Sequence, residues 1–366
     1  MKKEIFILCP EPPEGLGGME SCVREHILGF RKRGYDVQVF HRGNTGSEFY
    51  RRLSRRLSHH VRGTLVGWNV GRAAQKAMHA AVAAVFSHST VGWYPLRVPQ
   101  GCKKLHFYHG TYRGQADAIR PFISYPGYLK LKWWDSMMLE RMSGRGKQVF
   151  SCSEMTRIEV ERMFGFPCTT VGYPLDMRDF RPRDKQECQR KFGIRPEGVV
   201  GLFVGTTQPN KNFPVIQRLI RELPEVTWVL ALRGSMECAE GLGDGVRVLM
   251  DVPRDDIPYL YSAADFSVCP SRYDPFALVV AEALSCGIPV IASVIGSSQQ
   301  FLGDPPLNDL VVSEPTNEAG FVTAARKLVG HLECYREAVQ RQARPAVEAW
   351  MNLDNWWKRF NDMSGL

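Results

Sequence analysis

The feature that most constrains this chain is the regular alternation of short apolar runs and amphipathic segments across its second half. Residues 199–204 read as a buried strand, 213–222 as a helix and 226–232 as the next strand. Residues 246–252, 255–264 and 265–269 repeat the order strand, helix, strand. Such alternation predicts parallel strands joined by crossover helices, an α/β doubly wound sheet. The stretch 271–293 closes the series. Asp274 can cap a helix, Pro275 suits its first position, Gly287 stops it, and 288–292 returns as a strand. In open parallel sheets, ligands bind beyond the carboxyl ends of strands, where helix amides attract phosphate. Asp274 and Glu282 stand eight residues apart, a little over two helical turns, and so face roughly one side. Asp274 reads either as a cap alone or as a ligand-facing acid. Glu282 lies in an apolar run, where a carboxylate needs a ligand or a basic partner.

The first half repeats the pattern. Residues 4–9 form a strand, and a Pro/Gly-rich loop ends in Gly15-Leu16-Gly17-Gly18. Residues 19–33 have helical spacing, Gly34 stops the helix, and 35–40 alternates like a strand. The glycine turn reads either as a flexible turn or as close approach of backbone to a ligand, with Glu20 in the first helical turn. From Tyr50 to Arg62 an amphipathic helix is expected, with Leu53, Leu57 and Val61 on one stripe and Arg51, Arg52, Arg55 and Arg56 among its cations. It suits an anionic membrane surface or a phosphorylated acceptor, or packs as a solvated helix. Residues 73–85 read as an alanine-rich helix and 105–111 as a strand with a polar tip. His109 sits at that tip, where this architecture places functional groups. Residues 128–142 read as a long helix through Trp133-Trp134, and 148–152 as a strand followed by a Ser153 cap. The helical tail contains Trp350, Trp356 and Trp357, read as packing anchors.

At 366 residues the chain suggests two domains of ordinary size, and a net charge of +9 suggests an anionic partner. The ten cysteines form no Cys-x-x-Cys pair and read as reduced core residues of a cytosolic protein. No apolar run approaches the roughly 20 residues of a membrane span.

These residues resemble the retaining glycosyltransferases of family four, which have the GT-B fold. Gly17-Gly18-Met19-Glu20 is similar to the family's glycine loop and following acid. Leu139-Glu140-Arg141 through Ser151-Cys152-Ser153 is similar to its helix-then-strand segment. Gly172 to Asp176 with Phe180-Arg181-Pro182 resembles its interdomain crossover. The strongest match is an acid, seven residues and a second acid, followed by Cys286-Gly287-Ile288-Pro289-Val290. The resemblance covers essentially the whole chain. It implies two Rossmann-like domains facing a central cleft: 1–178 for the acceptor, 179–343 for the nucleotide-sugar, and 344–366 crossing back to the first.

It also implies roles. Glu282 would hold the donor ribose, and Asp274 would lie near the donor sugar. Backbone of Phe276, Ala277, Leu278 and Val279 would hold the diphosphate, with Gly17, Gly18 and Thr206 also on the donor side. The base would lie near Asp251, Val252 and Tyr261. His109 would sit near the transferred sugar, and Lys211 would neutralise the diphosphate. Arg51, Arg52, Arg55, Arg56 and Glu20 would serve the acceptor or the membrane. No metal or other cofactor is implied, since no Asp-x-Asp motif is present. The implied partners are a nucleotide-sugar, a glycan or lipid-linked acceptor and an anionic inner membrane face, not nucleic acid.

Three departures stand out. Asp274 replaces the usual Glu. Thr206 stands where an arginine is usual, leaving Arg233 and Arg272 as substitutes. Gly296-Ser297 replaces a glycine pair. A nucleotide-sugar epimerase, a phosphorylase or a non-catalytic nucleotide-sugar-binding subunit on the same fold are the alternatives.

Overall fold

The computed structural model describes residues 3–15, 17–46, 59–195, 198–234, 242–243 and 245–366, with side chains of 59–62 excepted. Arg51, Arg52, Arg55 and Arg56 therefore lie outside the described residues. Two compact units are present: Met1–Tyr173 with Trp357–Leu366, and Pro174–Trp356. The division falls after Tyr173, and of the tail only the last ten residues group with the first unit.

In the first unit the strands are β1 (Glu4–Leu8), β2 (Asp36–Phe40), β3 (Val82–His88), β4 (Lys103–Tyr108), β5 (Gln148–Ser151) and β6 (Thr169–Thr170). They lie in the order β2-β1-β3-β4-β5-β6, and every pairing is parallel. Burial on both faces explains their near-continuous apolar runs. Helix Gly18–Lys32 follows the glycine turn, as the spacing predicts. The alanine-rich helix expected over 73–85 is corrected. The helix is His59–Ala77, and Val82–His88 is a central strand. Alanine content suggested helix there, but Val82, Val85 and Phe86 are buried in the sheet, and tertiary burial overrides propensity.

The C-terminal helix Leu353–Ser364 brings Trp357 against Phe30, with ring centroids 5.0 Å apart. Phe360 stacks with His26. The room for Trp357 comes from Gly29, where an added Cβ would meet the indole at 1.9 Å. Gly29→Ala is therefore expected to lower stability by about 1–3 kcal/mol through overpacking. Urea unfolding monitored by circular dichroism measures this.

The second unit has β7 (Val200–Gly205), β8 (Thr227–Leu232), β9 (Val246–Met250), β10 (Phe266–Cys269), β11 (Val290–Ser293) and β12 (Val311–Val312). Their order is β12-β11-β10-β7-β8-β9, again all parallel. The chain runs outward from β7 to β9, returns to β10, and runs outward the other way. β7 and β10 therefore flank the point where the strand order reverses, which is the ligand position of such sheets. One buried carboxylate ties the two strands together. Asp265 Oδ2 accepts from the Val200 amide at 2.8 Å, and Oδ1 pairs with Lys185 at 2.6 Å and with Arg336.

The nine described cysteines are all free thiols, eight of them buried or half-buried and Cys334 exposed. No helix among the described residues is long and apolar enough to cross a membrane.

Candidate active site

In the second unit, the loops after β7 and β10 meet at the reversal point. Lys211 Nζ lies 2.6 Å from Asp274 Oδ2. Two contacts fix this approach. Asn212, held with φ of 56°, donates from Nδ2 to the carbonyls of Pro270 (3.1 Å) and Pro315 (2.7 Å). The Arg272 amide donates to the Asn210 carbonyl at 2.8 Å. Burial alone would push the Lys211 ammonium down. The Asp274 carboxylate more than offsets this, and the group is raised above its ordinary value, so Lys211 is a fixed cation.

The helix read as starting at Pro275 starts later. It spans Leu278–Ser285, with Ala277 as its N-cap in the left-handed region (φ 55°). Asp274 caps the preceding turn instead. Its Oδ1 accepts from the amides of Ala277 (2.6 Å) and Phe276 (3.3 Å). Asp274 and Glu282 thus do not share one helix face. A turn capped by Asp274 leaves the first helical amides, those of Leu278 and Val279, at the carboxyl end of β10. Ser297, at the departed glycine position, is buried beneath this turn. Its Oγ donates to the Ala277 carbonyl at 3.0 Å and its amide to the Phe276 carbonyl at 2.9 Å. The serine adds a hydrogen bond that a glycine could not make.

Glu282 is buried, and the basic partner that its apolar setting demands is Arg254, which the sequence does not single out. Arg254 Nη1 lies 2.6 Å from Glu282 Oε1, and the Tyr261 hydroxyl donates to Oε2 at 3.1 Å. The Arg254 guanidinium also lies 4.6 Å over the Phe180 ring. Tyr261 is fully buried, and its hydroxyl supports Glu282. The signal for Arg254 was its place three residues after Asp251, just beyond the end of β9. Asp251 has φ of 48°, and Val252 follows it at the same strand end. Thr206 follows β7 directly, and its Oγ1 accepts from the Gln208 amide. Arg233 stands at the end of β8, where its amide donates to the Gly205 carbonyl next to Thr206 at 3.1 Å.

In the first unit, the tip of β4 carries His109. Its Nδ1 is 2.8 Å from the Tyr173 hydroxyl and its Nε2 is 2.9 Å from His88 Nδ1. His88 in turn lies against His26, with ring centroids 5.3 Å apart and the rings tilted by 32°. Burial pushes all three imidazoles down, His88 to about 3, so they are neutral at pH 7. The partners His88 and Tyr173 were not read from sequence; each is a polar residue at a strand or crossover end in an apolar setting. Because the unfolded chain binds protons near pH 6.5 and the fold does not, stability present above that pH is lost as pH falls toward 3. Each such histidine contributes up to about 1.4 kcal/mol per pH unit in that window. The urea midpoint is expected to drop between pH 7 and 5, and less so in His88→Phe.

At the glycine turn, Gly17 has an internal reason to lack a side chain. An added Cβ would meet Glu20 Oε2 at 2.0 Å, so the Glu20 carboxylate folds over the loop. Gly18 is the first residue of the helix. The second unit thus brings together Lys211 with Asp274, and Glu282 with Arg254 and Tyr261; the first brings together His109, His88 and Tyr173.

Residues 184–344 match the family model described as "Glycosyl transferases group 1", and residues 16–174 match "Glycosyltransferase Family 4". The chain belongs to the group 1 glycosyltransferases. O-antigen chain mannosyltransferase B of Escherichia coli is 31% identical over 185 residues, 44% of this chain and 47% of that relative. The chain thus spans about half the length of that curated relative. Among solved structures, sucrose-phosphate synthase from Thermosynechococcus elongatus superposes with a TM-score of 0.79 at 17% identity, covering 99% of this chain and 98% of the other. HepE of Anabaena in complex with UDP-glucose gives 0.70 at 15%, covering 99% and 100%. With its two parallel six-stranded sheets, this group 1 glycosyltransferase has the GT-B fold, two Rossmann-like domains.

Proposed function

We propose that the protein is a retaining glycosyltransferase that moves a sugar from a nucleotide-sugar to a hydroxyl acceptor in surface-glycan or glycolipid biosynthesis. The observation that carries this reading is the Lys211–Asp274 pair at the strand-order reversal of the second unit. A relative named for O-antigen mannosyl transfer and a structural neighbour holding UDP-glucose support the substrate class.

The chemistry follows from charge. Breaking the bond between sugar and diphosphate builds negative charge on the leaving phosphate. The Lys211 ammonium and the amides of Leu278 and Val279 stabilise it, and being fixed beforehand they need little reorganisation. Asp274 holds Lys211 in place and faces the sugar side. Glu282 accepts from the ribose hydroxyls. Thr206, Asp251 and Val252 border the nucleotide, with Gly17 and Gly18 on the donor side and Glu20 toward the acceptor. His109 supplies a neutral imidazole that hydrogen-bonds a sugar hydroxyl. The acceptor attacks from the face the diphosphate leaves, so anomeric configuration is retained. In this reading Lys211 does the charge neutralisation, with no metal ion required. Arg233, whose amide bonds the Gly205 carbonyl next to Thr206, supplies the cation that Thr206 lacks, which weighs against a non-catalytic subunit. The acceptor is glycan or lipid-linked, and the enzyme works at the inner face of an anionic membrane, with Arg51, Arg52, Arg55 and Arg56 contributing.

Purified protein given a panel of nucleotide-sugars and a lipid-linked acceptor, with and without EDTA, tests this. The expected result is nucleoside diphosphate release, unchanged by EDTA, and a product whose anomeric proton coupling matches that of the donor. An inverted product removes the retaining assignment, and donor conversion without acceptor restores the epimerase.

A further inference from the structure

We propose that the first unit carries a lipid-docking face, formed by the segment 120–147 and the helix His59–Ala77, that seats the enzyme on an anionic bilayer. The proposal deepens the reading above, and rests on it for the reason a lipid partner is needed.

The first observation is apolar exposure. Scattered exposed apolar side chains are ordinary, but a contiguous aromatic cluster marks an interaction surface. Tyr125 (61% exposed), Trp133 (57%), Trp134, Met138 and Met142 are all exposed within one segment. Trp68 joins them from the helix. The segment and the helix are tied by Trp134 Nε1, which donates to Thr64 Oγ1 at 2.9 Å. Trp68 lies against Tyr94 and Trp93, with centroids at 5.2 and 6.1 Å. Trp93, Tyr94 and Met142 line a cavity of about 300 Å³ together with Lys104, Arg145 and Lys147.

The second observation is charge of one sign. Residues 120–147 contain six cations and two acids, Asp135 and Glu140. Both acids are buried: Asp135 pairs with Lys130 at 2.6 Å, and Glu140 accepts from the Tyr112 amide at 3.1 Å. The exposed charges of the segment are therefore positive. The bias extends through the sequence. Between Glu48 and Asp117 there are 68 residues with eleven Lys or Arg and no Asp or Glu.

These two features together select the occupant. Trp and Tyr rings settle at the headgroup level of a bilayer, Lys and Arg attract anionic lipid, and each Lys or Arg near such a surface contributes about 1 kcal/mol. A second copy of this chain would oppose two faces of the same sign, so a lipid surface fits better than self-association. The two exposed cations of the cavity, Lys104 and Arg145, are placed to receive the phosphate of a lipid headgroup at the edge of the aromatic cluster, whereas Lys147 is pushed down to about 7 by burial and is held by Ser87 and the Gly92 carbonyl.

The test is co-sedimentation of the full chain with phosphatidylcholine vesicles, with and without phosphatidylglycerol. Wild type is expected to pellet with anionic vesicles, not with neutral ones, and to be released by 0.5 M salt, on the order of a tenfold drop in partitioning or more. Trp133→Ser with Trp134→Ser, and separately Arg141→Glu with Arg145→Glu, are each expected to lower partitioning about tenfold or more with an unchanged melting temperature. Both arginines are exposed, so the second variant keeps the test open should the first fail to fold. Undiminished binding of the folded variants, equal binding to neutral vesicles, or a dimer abolished by the Trp changes in a chain that ignores lipid each overturns the proposal. Lipid binding as stated, with no nucleoside diphosphate released by wild type from any donor, upholds this face and sinks the glycosyltransferase reading instead.

Discussion

Lys211→Ala is expected to lower turnover by roughly a hundredfold to a thousandfold, the scale for removing one preorganised group from a site of developing negative charge. The effect should fall on kcat more than on KM, because the leaving phosphate gains its charge as the bond breaks. Stability should change little in comparison. Lys211 is partly exposed and its partner Asp274 keeps two amide donors, from Phe276 and Ala277, after the lysine is gone. Lys211→Arg restores charge but not shape, since a planar fork cannot occupy the place of a compact ammonium without displacing Asp274. Steady-state release of nucleoside diphosphate measures both. A loss confined to KM would mean that Lys211 only binds ground-state donor.

Glu282→Ala is expected to raise the donor KM about tenfold or more, and also to destabilise the second unit. The two effects have separate causes. The ribose loses its acceptor, and the buried Tyr261 hydroxyl loses its partner, the latter costing about 1–3 kcal/mol. Arg254 is partly exposed at 24% and can rehydrate, so it adds less than a fully buried cation would. Glu282→Gln separates the causes. It keeps an acceptor for Tyr261 and loses the charge that holds Arg254. A purely structural ion pair would show its loss in urea unfolding, with donor KM unmoved in the folded variant. A ribose ligand would show it in KM.

The alternation of the second half made its sheet legible, because strands buried on both faces must be apolar and crossover helices must be amphipathic. The same logic failed at 73–85, where alanine content outweighed the spacing of Val82 and Phe86. It misplaced the helix start at Asp274-Pro275 for a different reason. Asp followed by Pro fits a cap, but Asp274 is drawn to Lys211, and the chain passes through Ala277 at positive φ before helical geometry begins. Such a turn is set by a contact 63 residues distant in sequence, which periodicity does not register. For the same reason Arg254 was invisible as the partner of Glu282, and His88 and Tyr173 as those of His109. Each pairing joins residues of separate elements far apart in sequence. Glu282 itself was legible because a carboxylate in an apolar run demands a partner. Gly17 was legible only as a turn; that its space holds Glu20 needed coordinates. The basic stripe at 51–56 lies outside the described residues, yet the charge bias it belongs to continues into Trp68 and the Trp133-Trp134 face.

The central claim is that the Lys211, Asp274 and Glu282 constellation holds a nucleotide-sugar. Thermal denaturation with UDP-, GDP-, ADP- and TDP-sugars, on wild type and on Lys211→Ala with Glu282→Gln, tests it most directly. A ligand at about one hundred times its Kd adds roughly 2.7 kcal/mol, enough to move the melting temperature by several degrees. One donor class should produce that shift in wild type and none in the double variant. A shift of the same size in the folded double variant, or no shift with any donor in wild type, contradicts the account.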